Sequence, residues 1–249
     1  MTALQADKLT AGYGRVPIIR EVSVTVEDGR LVAIVGPNGA GKSTFAKALA
    51  GVIRLAAGRV FVGGDEITGL PGHLIVRRGL AYVPQNQNVF PSLTVTENLE
   101  MGAYSRRSGV RERAAEVLDV FPDLRQAAGK RAGVLSGGQQ NMLAMARALM
   151  LDPRVIVLDE PTAGLSPAYT SVVWEQIGRI TSSGVAALVI EQNVDRALSA
   201  ADYVHVFVAG ANHVAGPAAE VAALDLAAIF LGHDSLPGAS SENSATERN

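Results

Sequence analysis

The chain has 249 residues, 48% apolar and 18% charged, with 22 basic and 24 acidic side chains giving a net charge of −2. That apolar content excludes wholesale disorder, and the length suits one core domain with room for a smaller insert. No basic block occurs, which argues against a sequence-independent grip on nucleic acid, and the absence of cysteine excludes disulfides, thiolate nucleophiles and zinc–thiolate sites. The four histidines (His73, His205, His213 and His233) have no metal-ligand spacing and are expected on the surface or in loops. The first residues lack an apolar stretch of signal-peptide length, and no run reaches the roughly 18 apolar residues of a membrane span. The expectation is a cytoplasmic chain that can dock on a membrane protein.

In chain order, the first thirty residues (LTAGYG, VSVTVEDG) read as short strands and turns. Leu31 to Val35 is an apolar run ending at glycine, as a buried parallel strand requires, and a helix continues through Phe45 to Ala50. Leu80 to Val83 is another short strand. From about Asn86 to Asp152 no convincing strand appears. Val110, Ala114, Val117, Leu118 and Phe121 share one helical face, and Ser136 to Leu151 reads as a helix with Ser136 near its N-terminus. Met142, Met145 and Met150 fall at helical spacing and are read as core. Strands follow at Val155 to Leu158, Ala186 to Ile190 and Tyr203 to Val208, with helices at Tyr169 to Ser183 and Val194 to Ala201. Strands alternating with helices predict an α/β fold with a largely parallel sheet, interrupted by a helical insert. The polar, Ser/Asn-rich end from about Asp234 is expected to be a disordered tail.

Gly36-Pro37-Asn38-Gly39-Ala40-Gly41-Lys42-Ser43, followed by Thr44, matches G-x-x-x-x-G-K-[ST] between a predicted strand and a predicted helix. Glycines let backbone N–H groups close round a phosphate chain, and the helix N-terminus adds its positive dipole end. Lys42 is placed to reach the β/γ-phosphates and Ser43 to hold Mg²⁺. Asp159 and Glu160 end a buried strand, at the edge where open α/β sheets bind ligands. Asp159 completes the Mg²⁺ shell, directly or through water, and Glu160 is placed as general base for an attacking water.

Ser136, Gly137, Gly138 and Gln139 form a second anion-binding segment at a helix start, within the helical insert. One nucleotide has little use for both segments of one chain. The economical reading is in trans, two chains facing each other and each lending this segment to the other's nucleotide.

LSGGQ lying between a phosphate loop and a hydrophobic-Asp-Glu strand resembles the nucleotide-binding subunit of ABC transporters. The resemblance runs from about Leu4 to Leu231. It implies an α/β fold of a particular kind: a P-loop NTPase (RecA-like) core over about 1–85 and 153–232, an antiparallel N-terminal β subdomain, an inserted α-helical subdomain over about 86–152, and a tail over 233–249. It implies ATP hydrolysis with Mg²⁺ in a head-to-tail dimer. Tyr13 falls where the family stacks an aromatic ring on adenine. Gln85, in YVPQ, falls at the glutamine that touches Mg²⁺ and the attacking water and relays to the membrane subunit.

Two positions depart from the general pattern. Ser166 stands where many members have the aspartate that bridges the dimer, and Gln192 where most have a histidine contacting the γ-phosphate. Glutamine donates a hydrogen bond but carries no proton charge, so slow hydrolysis, or a nucleotide mostly held, is implied. GLSP, IEQN, LTVTENLEMGAY and AAIFLG are similar to the smaller ATPase subunit of branched-chain amino-acid uptake systems, relatives of which import urea or short amides. That branch implies two permease subunits, a second non-identical ATPase, an external solute-binding protein, no nucleic acid, and a place on the cytoplasmic face of the membrane.

Overall fold

Buried and exposed residues alternate along the first 27 residues, and the chain there folds into a ribbon of two 12-residue strands, β1 (Thr2–Tyr13) and β2 (Val16–Glu27). The structure, a computed structural model, describes residues 1–14, 16–86, 88–106 and 108–231. The expected tail and His233 lie outside the described residues. The expectation of short strands is corrected here. Bulges at Lys8 and Glu21, each with φ of 49°, break the period-two pattern. The strands therefore read as fragments while remaining continuous.

β3 (Leu31–Val35) is buried at every position and leads through the phosphate loop into α1 (Lys42–Leu49). The chain then returns to the first sheet with β4 (Leu55–Val62) and β5 (Asp65–Glu66), completing the antiparallel order β2-β1-β4-β5. Residues 55–62 carry a weak strand signal because Gly58 interrupts them; β1 supplies the template they pair with.

After α2 (Gly72–Arg77) comes β6 (Leu80–Val83). Four helices follow: α3 (Val95–Gly102), α4 (Val110–Val120), α5 (Pro122–Gln126) and α6 (Gly137–Leu149). Among the described residues of this stretch the β structure amounts to one isolated bridge, Thr94 to Arg131. Both α3 and α6 begin with a capping box, Thr94 with Glu97 and Ser136 with Gln139, which satisfies orphan N–H groups at each start.

The rest of the chain runs β7 (Val155–Asp159), α7 (Pro167–Ser182), β8 (Ala186–Ile190), α8 (Val194–Ala200), β9 (Tyr203–Val208), β10 (Ala211–Pro217), α9 (Ala218–Ala222) and α10 (Leu226–Phe230). The second sheet has the order β10-β9-β3-β8-β7-β6, parallel except for the β10 edge. Its two faces are both dry. Ala33, Val35, Leu158 and Val189 pack towards the helices, with Met142, Met145 and Met150 in the same core. Val32, Ile34, Val157 and Leu188 pack towards α1 and the antiparallel sheet. Burial on both faces is why these strands read as unbroken apolar runs.

His205 departs from the expected surface placement. It lies in β9 opposite Ile34, 7% exposed, beside the ring of Tyr203. Asn212 contacts its Nδ1 at 3.2 Å, and its Nε2 has no hydrogen-bond partner among the described residues. Burial lowers its pKa from 6.5 to about 4. His73 is exposed in α2, and His213 half-buried in β10.

Two outcomes are expected. Phe207 meets Phe45 edge to face at 5.5 Å, and both are fully buried beneath the phosphate loop. Phe207→Ala is expected to cost about 3 to 5 kcal/mol in urea denaturation. For His205, the unfolded chain takes up a proton as pH falls through 6.5, whereas the folded chain resists until about 4. Stability is therefore lost across that window, by about 3 kcal/mol for this one group. Urea midpoints measured between pH 7 and 4.5 should fall less steeply in His205→Gln than in the parent.

Candidate functional site

The phosphate loop occupies the C-terminal edge of the parallel sheet because β3 ends there. Gly36 has φ of 151°, and a Cβ at this position would lie 2.1 Å from the carbonyl oxygen of Phe207. Gly41 has φ of 89°, and its Cβ would lie 2.6 Å from Ile19. Only glycine lets the chain turn tightly enough here to open a helix under the loop. Asn38, Gly39, Ala40, Gly41, Lys42, Ser43 and Thr44 line a cleft of about 170 Å³ with Ile18 and Glu160. Gly36 and Pro37 support it from behind: the Lys42 ammonium donates to their carbonyl oxygens at 2.7 and 3.0 Å. Burial lowers the Lys42 pKa, opposed by the nearby carboxylates of Glu160, Asp159 and Glu191.

The acidic pair sits beside this cleft, because β7 ends level with the loop. Asp159 accepts from the Ser43 hydroxyl at 2.9 Å and from the Tyr82 hydroxyl at 3.1 Å. Burial raises the Asp159 pKa, and these two donors oppose the rise. The Tyr82 pKa is raised chiefly by burial, then by the Asp159 charge.

Ser43 Oγ and Asp159 Oδ1, joined by that hydrogen bond, are both hard oxygen donors of the kind that suits a small hard cation. Among the described residues no cluster of three or more His, Cys, Asp or Glu forms a metal cage. A hydroxyl and a carboxylate would fit a Mg²⁺ only if phosphate and water oxygens filled most of its shell.

Glu160 has a left-handed backbone, φ 49°, and its carboxylate is gripped from both sides. Gln85 Nε2 donates to Oε2 at 2.6 Å, and Gln192 Nε2 donates to Oε1 at 2.7 Å. Gln85 follows β6 and Gln192 follows β8, the two strands that flank β7. Neighbouring strands lie about 4.8 Å apart, so an amide two residues past each flanking strand reaches the carboxylate between them. A carboxylate has about four lone-pair sites; two are taken and two remain for a water.

Other expected residues lie apart from this cluster. Tyr13 is 54% exposed at the end of β1, on the antiparallel sheet, rather than in a core or lining the phosphate cleft. Ser136, Gly137, Gly138 and Gln139 begin α6 and do not line the cleft either. Ser136 and Gln139 cap each other there, while Gly138 is buried where a Cβ would meet the Tyr169 ring at 2.5 Å. Ser166 is the N-cap residue of α7 and makes no side-chain capping bond.

Sequence reasoning missed five polar residues that hold this edge together. Besides Tyr82, the Thr162 hydroxyl donates to the buried Glu191 at 2.6 Å. Asn141 of α6 donates to the Pro161 carbonyl at 2.9 Å and accepts from Asn88 at 3.1 Å. The partners are 20 to 77 residues apart in the chain, so no local pattern announces them.

Comparisons with known proteins give the family. Residues 19–163 match the family model described as ABC transporter. The chain is 43% identical to the probable branched-chain amino acid transport ATP-binding protein LivF of Archaeoglobus fulgidus, over 83% of this chain and 89% of that protein. It is 40% identical to the high-affinity branched-chain amino acid transport ATP-binding protein BraG of Pseudomonas aeruginosa, again over 83% and 89%. It superposes on the ADP conformation of an ATP-binding cassette of an ABC transporter with a TM-score of 0.84 and 26% identity, covering 93% of this chain and 99% of that one. Identity at that level over most of both chains goes beyond a shared fold: this chain belongs to the ABC transporter family.

Proposed function

We propose that this chain is the ATP-binding and hydrolysing subunit of an ABC importer, coupling ATP hydrolysis to the uptake of branched-chain amino acids. The observation that carries this reading is the Glu160 carboxylate, held between Gln85 and Gln192 at the rim of the phosphate cleft. The solute follows the two bacterial and archaeal relatives at 40 and 43% identity, whose names specify that transport.

The chemistry follows from the geometry. Loop N–H groups and the Lys42 ammonium hold the β/γ-phosphates, and Tyr13 offers its exposed ring to the adenine. Ser43 and Asp159, with Gln85, would hold Mg²⁺, which when bound would neutralise phosphate charge and polarise the γ-phosphoryl group. Glu160 accepts a proton as a water oxygen bonds to the γ-phosphorus and the bond to the β–γ bridging oxygen breaks. Gln192 orients Glu160 through a neutral amide, so it steadies the base without adding positive charge to the phosphate being transferred.

A second chain completes the site. Ligand pockets are typically about 300 Å³ or more, and the phosphate cleft here holds about 170 Å³. Ser136 to Gln139 face the nucleotide of a second, non-identical ATPase, which returns the equivalent segment to Lys42. One permease docks at the groove of about 340 Å³ lined by Tyr82, Pro84, Phe90, Met101 and Tyr104, next to Gln85, and a second permease docks on the second ATPase. Phe90, Met101 and Tyr104 are exposed there. No helix among the described residues is long and apolar enough to cross a membrane. The chain sits peripherally on the cytoplasmic face, and an external binding protein chooses the solute.

Glu160→Gln keeps the shape and loses the base. In the complex purified through a tag on this chain, turnover at this site should fall about a hundredfold or more. Affinity for a fluorescent ATP analogue should stay within a few-fold. Lys42→Met keeps the aliphatic stem and loses the ammonium. It should weaken binding of the same analogue by about tenfold to a hundredfold, the worth of a charge-assisted hydrogen bond. Unchanged turnover in the first variant would overturn the assigned base.

A further inference from the structure

Glu191 is a buried carboxylate that the proposed chemistry leaves idle. It is 3% exposed, and among the described residues it has no ion-pair partner. Burying a carboxylate without a cation is expensive unless hydrogen bonds replace its hydration. Here they do. One oxygen accepts from the Thr162 hydroxyl at 2.6 Å and from the Thr162 backbone N–H at 3.3 Å. The other accepts from the Gln192 backbone N–H at 3.1 Å.

Those donors belong to two different turns. Thr162 lies two residues after Glu160, in the turn that leaves β7. Gln192 lies in the turn that leaves β8, and its side chain holds Glu160. The carboxylate therefore ties the segment carrying the base to the segment carrying one of the base's two amide clamps. The tie has a physical task. Glu160 has a left-handed backbone, φ 49°, that a non-glycine residue adopts only under strain. Such a conformation persists only where the surroundings over-determine it. The Glu160 N–H donates to Ile190 at 2.9 Å, and the Ala163 N–H donates back to the Glu160 carbonyl at 3.2 Å. The Glu191 carboxylate pins the residue between these two bonds. Burial raises the Glu191 pKa against these donors, as expected for a charge kept in a dry place for its hydrogen bonds.

We propose that Glu191 is a positioning residue: acting through Thr162 and the Gln192 backbone, it holds the strained turn that aims the Glu160 carboxylate, and so sets the rate of ATP cleavage rather than nucleotide affinity. This rests on the reading of Glu160 as the base. Glu191 does not line the phosphate cleft.

The test uses the complex purified through a tag on this chain, with turnover and KM for MgATP, binding of the fluorescent ATP analogue and melting temperature measured for each variant. Thr162→Val removes the hydroxyl donor at constant shape. It is expected to lower kcat about tenfold or more while KM and analogue affinity stay within about twofold. Thr162→Ser restores the donor and should recover at least about half of the lost rate. Glu191→Gln keeps one oxygen for Thr162 but turns an NH₂ group towards the Gln192 N–H; it should reproduce the kcat loss, which keeps the proposal testable if Thr162→Val folds poorly. An unchanged kcat in Thr162→Val and Glu191→Gln would overturn the proposal. So would a serine variant no better than valine, or a KM that rises in step with the loss of kcat. Glu160→Gln in the same preparation separates the two readings. If it turns over normally, the base assignment fails; if it is inactive while Thr162→Val is normal, only the role of Glu191 fails.

Discussion

The nucleotide edge of this chain depends on the lateral order of three parallel strands. β7 lies between β6 and β8, with Leu158 opposite Val83 and Asp159 opposite Ile190. That register ends all three strands at one level, so Gln85, Glu160 and Gln192 emerge side by side. A slip of one residue would turn a side chain to the opposite face. The slip is opposed by burial: every residue of β7 and β8 is buried, and each face has its own apolar partner layer. The dry core is therefore what fixes a polar contact of 2.6 Å at its rim.

The same edge concentrates negative charge. Asp159, Glu160 and Glu191 all act on Lys42, and Asp159 also feels Lys47. A triphosphate adds further anionic charge to that surplus. The helix N-terminus and the nearby lysines offset only part of it, which is the charge problem that the proposed Mg²⁺ would relieve.

How much of this was legible in the sequence depended on how local each cause is. The phosphate loop was readable because steric demands on consecutive residues write its glycines, and Asp159-Glu160 because a fully buried strand announces itself as Val-Ile-Val-Leu. The helical insert showed its periodicity along the Val110 to Phe121 face, and the methionines of α6 are core as read. β1 and β2 read as fragments because two bulges shift the alternation. β4 escaped notice because its pairing with β1 supplies the order that Gly58 takes away. His205 was misplaced because a lone histidine in a short apolar strand carries no mark of which layer will cover it. Glu191 was invisible as a functional residue for a related reason. Its meaning lies in Thr162, 29 residues away, and only the sheet brings the two together.

Helix α6 carries a further mechanical consequence. Its N-terminal residues do not line the chain's own phosphate cleft, whereas Asn141, about 7.5 Å further along the axis, donates to the carbonyl of the residue after Glu160. Little more than one hydrogen-bonded turn separates Ser136 from Asn141, so the two belong to one stiff stretch of helix. Any push or pull on Ser136 and Gly137 arrives at Pro161 with little loss. Asn141 also holds Asn88, three residues beyond Gln85, so the same displacement loads both sides of the base. α6 is in effect a pushrod, and the chain can register a load at its far surface as a change in how its own carboxylate is held.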